Sequence, residues 1–161
     1  MKYSDVFKIY VDRLDDGKVE KIDEEVSSEF LEVCEKSLKF SEKVKVGGQV
    51  YLADDYLVLK FSFDLKAFLP CSICNEQVSI AISRGDMYNS EPLSEVSGGV
   101  FDYGPLLREL ILLEVPQFIE CAGSDGRCPC RKEIEKFLKK PAVSKDVEES
   151  YHPFADLRVN D

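Results

Sequence analysis

The sequence predicts an α+β protein: an antiparallel sheet of about five to seven strands, two main helices and a cysteine-rich C-terminal arm. Three observations support this prediction. Apolar and polar residues alternate from Leu57 to Ala67, which is the period of a half-buried strand. Apolar residues recur at helical spacing between Leu106 and Leu113. Five of the six cysteines lie between residues 71 and 130, in two groups that could share a metal.

The composition is that of a folded domain in water rather than a membrane protein. Of 161 residues, 44% are hydrophobic and 32% are charged, and the net charge is −10. No apolar run reaches the ~18 residues of a membrane-spanning helix, and the first residues lack a signal-peptide pattern. We therefore expect a cytoplasmic, monomeric protein without a membrane partner. The negative net charge excludes binding to nucleic acid through the overall electrostatic attraction of the protein.

The first part of the chain is predicted to hold two short strands and a helix. Apolar residues alternate with polar ones in 7–11, and a turn at 15–17 precedes a second short strand at 19–22. An Asp followed by two Glu then suits a helix N-terminus, because the Asp caps it and the acids complement its dipole. The helix is predicted over 23–35, with Cys34 near its end in the core.

The middle of the chain is predicted to be an antiparallel meander with one buried face. Period-two patterns indicate strands at 44–52, 57–67 and 78–82. A turn is expected at 53–55, and the pair Gly47-Gly48 is interpreted as a hairpin turn or a bulge. Residues 84–100 are rich in Ser, Glu, Pro and Gly, so they are predicted to form a polar loop.

The second main helix is predicted after this loop. Asp102 can cap it, Pro105 suits its first turn and Pro116 ends it. Its predicted apolar face consists of Leu106, Leu107, Leu110, Ile111 and Leu113. A short basic helix is predicted at about 132–139. The chain is thus expected to be one domain, 1–161, with an α+β body at 1–120, a cysteine-rich basic segment at 121–140 and a partly flexible tail at 141–161.

The cysteine spacing favours a metal site. Cys71 and Cys74 form a Cys-x2-Cys turn, and the second group is Cys121, Cys128 and Cys130. Zinc prefers four ligands in a tetrahedron, so one structural zinc would join the sheet to the C-terminal arm. Cys71 and Cys74 are the first expected ligands, then Cys121 and Cys128, with Cys130 as a substitute or bystander. Free reduced thiols, or a redox pair at Cys71 and Cys74, are the alternatives.

Positive charge is in local excess only in residues 127–145. The candidate RNA-binding residues there are Arg127, Arg131, Lys132, Lys136, Lys139 and Lys140. A solvated helix face is the alternative interpretation. The sequence contains no phosphate-binding loop or nucleophile elbow, and the single His152 is expected to be a surface or packing residue. The residues alone therefore favour a protein that is not an enzyme.

Three separated blocks, together with their order, point to one family. They are Leu69-Pro70-Cys71-Ser72-Ile73-Cys74-Asn75-Glu76, the segment from Phe101 to Pro116 with Arg108-Glu109-Leu110-Ile111-Leu112-Leu113 inside it, and His152-Pro153-Phe154-Ala155-Asp156-Leu157. Over about residues 5–158 the chain resembles the YceD family, the large ribosomal RNA subunit accumulation proteins. Many relatives have a cluster ending in Cys-Pro-x-Cys-Gly. Here the segment is Cys128-Pro129-Cys130-Arg131, one residue shorter and without the glycine, and Asp125 replaces a second cysteine.

The resemblance implies a non-enzymatic role in ribosome biogenesis, supporting accumulation or processing of 23S ribosomal RNA. The implied partners are large-subunit ribosomal RNA or its precursor, and a basic ribosomal protein or assembly factor. In the mechanism that we expect, an acidic sheet face engages the basic protein while the segment 127–145 contacts RNA phosphate. Two alternatives remain open: a zinc-stapled protein-interaction module without direct RNA binding, and a small thiol oxidoreductase.

Overall fold

The computed structural model describes residues 5–122 and 126–138. The predicted tail at 141–161, with His152 and the third block of the resemblance, lies outside the described residues, as do Lys139 and Lys140. The chain divides into two units, with the boundary between Pro129 and Cys130. The first unit contains the sheets and one helix, and the described part of the second contains a short helix.

Within the described residues, seven strands form two antiparallel sheets. They are β1 (Lys8–Tyr10), β2 (Val19–Ser27), β3 (Lys39–Phe40), β4 (Lys43–Ala53), β5 (Tyr56–Pro70), β6 (Gln77–Pro92) and β7 (Val100–Asp102). In the larger sheet β2 pairs with β4, and β4 with β5, while β3 and β6 also pair with β5. β1 and β7 form a separate two-stranded sheet. The helices are α1 (Gly104–Leu113) and α2 (Arg131–Leu138). The α+β class and its antiparallel sheet are thus confirmed.

The core lies on one face of the larger sheet, as the alternation predicts. Its fully buried strand residues include Val44, Val46, Val50, Leu57, Leu59, Phe61 and Phe63. α1 contributes Leu107 and Ile111, which are also fully buried. Below the start of α1, the ring of Phe7 meets Tyr103 edge-on at 5.4 Å between centroids. Burying these apolar groups is the main stabilising contribution to the body.

The predicted helix at 23–35 is wrong. Residues up to Ser27 continue β2, and a short 3-10 turn follows at Ser28–Leu31. Ile22 pairs with Gly48 and Val26 with Val44, so both side chains reach the core. The acids between them stay exposed because β2 is an edge strand with a solvent-facing side. Cys34, predicted in the core, is exposed instead.

Two predictions for the meander are also wrong. The glycines at 47–48 neither turn nor bulge, because β4 passes through them in register with β5. Residues 84–92 continue β6 rather than forming a loop, and only 93–99 form 3-10 turns. The larger sheet does contain a shift of register, but it lies in the β5–β6 pairing, between Phe61 and Phe63. On the β6 side of this shift, Asp86 has a left-handed φ of 54°.

α1 begins and ends close to where the sequence predicts. The Asp102 carboxylate accepts the Gly104 N–H at 2.9 Å, which satisfies a free donor of the first turn. Leu113, predicted on the buried face, is 71% exposed. Leu113 follows the buried Ile111 by two residues, which places it roughly 200° around the helix axis and so on the opposite side of α1. Among the described residues, no helix has the length and apolar character needed to span a bilayer.

Candidate metal centre

Four cysteine thiols converge in the first unit. The Sγ atoms of Cys71, Cys74, Cys121 and Cys128 all lie within 4.8 Å of one another. The sulfurs of Cys74 and Cys121 lie 3.5 Å apart. Four thiolates around zinc, with Zn–S bonds of about 2.3 Å, have sulfurs roughly 3.8 Å apart. The cluster therefore has the donor set and the size of a tetrahedral metal site.

The first two thiols are presented by the turn between β5 and β6. The Cys71 N–H donates to the Glu76 carbonyl at 2.7 Å, and the Asn75 N–H donates to the Cys71 carbonyl at 2.9 Å. Asn75 has a left-handed φ of 63°, which this residue type tolerates better than most. These contacts close the turn, so Cys71 and Cys74 face the same space. The sequence prediction that the Cys-x2-Cys turn joins two strands is confirmed.

The other two thiols come from the chain after α1, which is bonded to this turn. The Ser72 N–H donates to the Ile119 carbonyl at 2.8 Å, and the Ile119 N–H donates back to the Ser72 hydroxyl at 3.2 Å. The Glu120 carboxylate accepts the Cys128 N–H at 3.0 Å. Ser72 and Glu120 are supporting residues that the sequence analysis missed. Ser72 lies inside the Cys-x2-Cys turn, which is the signal that could have found it.

The environment of Cys71 favours its thiolate form, which is the form that binds metals. Burial raises the pKa of Cys71, but N–H groups from Cys121, Cys74 and Ile73 outweigh this effect and lower the pKa to about 6. The Cys121 and Ile73 N–H groups lie 3.2 and 3.4 Å from the sulfur. Hydrogen bonds to the charged form stabilise it.

Cys121 is shifted in the opposite direction. Its neighbours Cys128 and Cys74 raise the pKa of Cys121 well above its usual value of 9.0, and burial adds to this effect. Sulfurs this close repel one another when more than one is ionised. A divalent cation would remove that repulsion and allow all four thiolates to form. The residues present therefore fit a bound zinc ion.

The remaining sequence candidates lie outside this group of four. Cys130 is exposed and directly precedes α2, where its carbonyl accepts the Glu133 N–H at 3.1 Å. Arg127 is exposed in the first unit, between Glu120 and Cys128 in the chain. On α2, Lys132 and Lys136 are exposed and Arg131 is half-buried. The structure thus divides the predicted basic segment between the two units.

Comparisons with known proteins give no match. No protein-family model matches the chain, and no curated protein or solved structure is significantly similar to it.

Proposed function

We propose that this protein is a cytoplasmic, non-enzymatic ribosome biogenesis factor that supports accumulation or processing of 23S ribosomal RNA. The observation that carries the proposal is the convergence of blocks that resemble the YceD family. The first block forms the turn that bears Cys71 and Cys74. The second block ends where α1 leads into the segment bonded to that turn. Two blocks that are far apart in sequence thereby contribute to one structure, which is the β5–β6 turn together with the segment bonded to it.

One structural zinc, held by Cys71, Cys74, Cys121 and Cys128, is part of this proposal. A zinc with four protein ligands has no open position for a substrate, which suits a structural role. It would hold the β5–β6 turn against the segment after α1. The lowered pKa of Cys71 would suit the redox alternative as well. That alternative is less favoured because two further thiols share the site with Cys71 and Cys74, and a strand, β6, follows the pair in place of a helix.

A groove beside the cysteines supports a protein partner. Its volume is about 920 Å³, and its apolar lining consists of Leu38, Leu69, Pro70, Leu112, Leu113, Val115, Pro116 and Ile119. Glu35 lies at its border, and the exposed Phe118 lies in the same segment as the lining. An apolar patch bordered by acid suits a basic protein with apolar anchors, such as a ribosomal protein. This groove favours the second candidate, a zinc-stapled interaction module without direct RNA contact.

The test is co-purification from cells at physiological salt, followed by identification of the bound RNA and protein. Large-subunit precursor RNA is expected with the wild type. The variant Lys132→Glu/Lys136→Glu should lose this RNA if α2 contacts it directly. The matched control Lys18→Glu/Lys36→Glu makes the same change in net charge on exposed residues of the first unit, and should retain it.

Other outcomes assign the function differently. A ribosomal protein that co-purifies without RNA, and with both variants, would favour the interaction module. Absence of both precursor RNA and ribosomal proteins would refute the ribosomal role. A thiol count and metal analysis on the untagged protein test the zinc separately: one zinc per chain with one or two reactive thiols is expected. About six reactive thiols without metal would contradict the zinc site.

A further inference from the structure

The solvent-facing side of the larger sheet carries an ordered array of side chains. We call it the outer sheet face and define it by the residues of β2, β4, β5 and β6 that point away from the core. The strand register places these side chains in rows across the sheet. One row is Val19, Tyr51, Val58 and Ser90, and the next is Lys21, Gln49, Lys60 and Tyr88. Tyr56 and Pro92 form the row beyond Val58 and Ser90.

This face is unusually apolar and aromatic for a side of a sheet in water, where polar residues are normal. Tyr88 is 65% exposed, Val19 54% and Tyr56 49%. Tyr51 and Val58 are half-buried between them. Single exposed apolar residues need no explanation, but a contiguous group marks an interaction site. Nothing in the packing of the core requires tyrosines at these positions.

A shallow hollow adjoins the tyrosines. The row next to Gln49 and Lys60 contains Gly47, which carries only a hydrogen atom, and Ser62, which has a small side chain. The two leave an opening of about 240 Å³. Lys60 borders it. Its ammonium lies 2.8 Å from the Asp86 carboxylate and 5.3 Å from the centre of the Tyr88 ring. A cation is thus held over the face of an exposed aromatic ring, which combines cation–π attraction with an ion pair.

The outer sheet face also differs from the rest of the chain in charge. It carries five lysines, Lys21, Lys43, Lys45, Lys60 and Lys66, against four acids, Asp23, Glu25, Asp64 and Asp86. The whole chain has a net charge of −10. The net charge of this face is therefore slightly positive, whereas the net charge of the whole chain is strongly negative. The acidic sheet face that the sequence predicts is therefore not found on this side of the sheet.

We propose that the outer sheet face binds single-stranded RNA, with bases stacked on Tyr56 and Tyr88 and phosphates near Lys21 and Lys60. Exposed aromatic rings on a sheet, with lysines between them, are a sequence-tolerant platform for unpaired bases. A protein partner is less suited, because the centres of protein interfaces are depleted in lysine. The choice of RNA rests on the proposed function, whereas the stacking surface rests on the geometry alone.

The test uses the full-length, zinc-loaded protein and a fluorescent 12-nucleotide single-stranded RNA of mixed sequence, with binding followed by anisotropy. The variant Tyr56→Leu/Tyr88→Leu keeps apolar bulk but removes the rings. It should weaken binding roughly fivefold to a hundredfold for each stacked base that is lost. Tyr56→Phe/Tyr88→Phe keeps the rings and should bind as the wild type does. Phe118→Leu removes an aromatic ring that is 58% exposed outside this face, and should have no effect.

Several results would overturn the proposal. They are absence of binding by the wild type, equal binding by the leucine variant, and loss of binding by the phenylalanine variant. Binding of a lysine-rich peptide that depends on Tyr56 and Tyr88, without RNA binding, would assign the face to a protein instead. If the outer sheet face does not bind RNA, the result expected from the co-purification test with Lys132→Glu/Lys136→Glu stays the same. Conversely, RNA stacking without co-purifying precursor would refute only the ribosomal role.

Discussion

At the scale of single residues, Gly48 lies where β4 and β5 leave no room for a side chain. A Cβ there would lie 2.3 Å from the Lys60 carbonyl oxygen and 2.8 Å from the Phe61 Cα. Both obstacles are backbone atoms, so the strands would have to separate. Gly48→Ala is therefore expected to lower the free energy of unfolding by about 1–3 kcal/mol, the usual cost of overpacking. Urea denaturation followed by circular dichroism measures this change.

The adjacent glycine supplies the control. A Cβ at Gly47 would lie 3.5 Å from the Ser62 Oγ and 3.9 Å from the Ile22 carbonyl oxygen, which are ordinary contacts. Gly47→Ala should therefore change the free energy of unfolding by no more than about 0.5 kcal/mol. Equal effects of the two substitutions would mean that strand propensity, and not the close approach, determines the result.

Tyr103 makes the body sensitive to high pH. It is 2% exposed, and burial, with Glu24 and Asp102 nearby, raises its pKa to about 12 from 10.0. The folded state keeps the phenol proton that the unfolded state releases above pH 10. Stability is thus complete below pH 10 and is lost as the pH rises to about 12, by about 1–3 kcal/mol.

Tyr103→Phe isolates this contribution, because all other groups titrate equally in both proteins. Its free energy of unfolding should fall less steeply than that of the wild type between pH 10 and 12. At neutral pH it loses only the weak hydroxyl contact to the Val6 carbonyl, at 3.4 Å. Parallel curves for the two proteins would show that the phenol does not titrate differently on folding.

The sequence identified the cysteines of the site but not their surroundings. The Cys-x2-Cys spacing of Cys71 and Cys74 is a local signal, so it can be recognised without knowledge of the fold. The sequence also ranked Cys121 and Cys128 ahead of Cys130, and these two thiols are the ones that join Cys71 and Cys74 in the cluster. The path of the chain after α1, which brings them there, is not encoded in the spacing. The stacking residues Tyr56 and Tyr88 were missed because their position on one face of the sheet arises from strand pairing between segments 32 positions apart in sequence.

At the scale of elements, the strands that the sequence predicted correctly are those with one side buried along the whole strand. β5 buries every second residue from Leu57 to Ala67, so its period is clear. β2 and β6 are edge strands that bury few residues. β2 buries Ile22 and Val26, and the second half of β6 buries Met87. With so few apolar positions, the acids at 23–25 indicated a helix start instead. Pairing with β4 overrides that local preference.

The β5–β6 turn is the element whose stability should depend most on metal. Cys71→Ser removes a buried thiol of the proposed zinc site and an acceptor of two N–H bonds. We expect loss of zinc and a decrease of several kcal/mol in the free energy of unfolding, since structural zinc contributes on the order of 10 kcal/mol to small domains. Metal analysis and urea denaturation measure the two effects.

Cys130→Ser is the matched control, because it replaces a cysteine of the same arm that is not among the four clustered thiols. It should retain one zinc per chain and the stability of the wild type. If Cys130→Ser loses the metal and Cys71→Ser keeps it, the ligand set is wrong. If neither variant changes metal content or stability, the thiols are free and the turn is held by its hydrogen bonds alone.

At the scale of the whole molecule, the two candidate RNA surfaces differ in how many phosphates they can neutralise. On the outer sheet face, Lys43 and Lys60 are in ion pairs with Glu25 and Asp86. The other three lysines of this face form no ion pair within the described part of the chain. The predicted basic segment instead offers six cationic residues, from Arg127 to Lys140. The salt dependence of binding therefore distinguishes the two surfaces.

Each phosphate contact on a single strand adds roughly −0.7 to the slope of log affinity against log salt. Stacking on Tyr56 and Tyr88 with phosphates near Lys21 and Lys60 predicts a slope of about −1.4, hence roughly a sevenfold loss between 50 and 200 mM KCl. Binding through the six basic residues predicts about −4, hence roughly a 250-fold loss. Anisotropy titrations of the 12-nucleotide RNA across this range measure the slope. A slope near −4 that Tyr56→Leu/Tyr88→Leu leaves unchanged would place the RNA on the basic segment, because stacking on neutral rings adds affinity without releasing counterions.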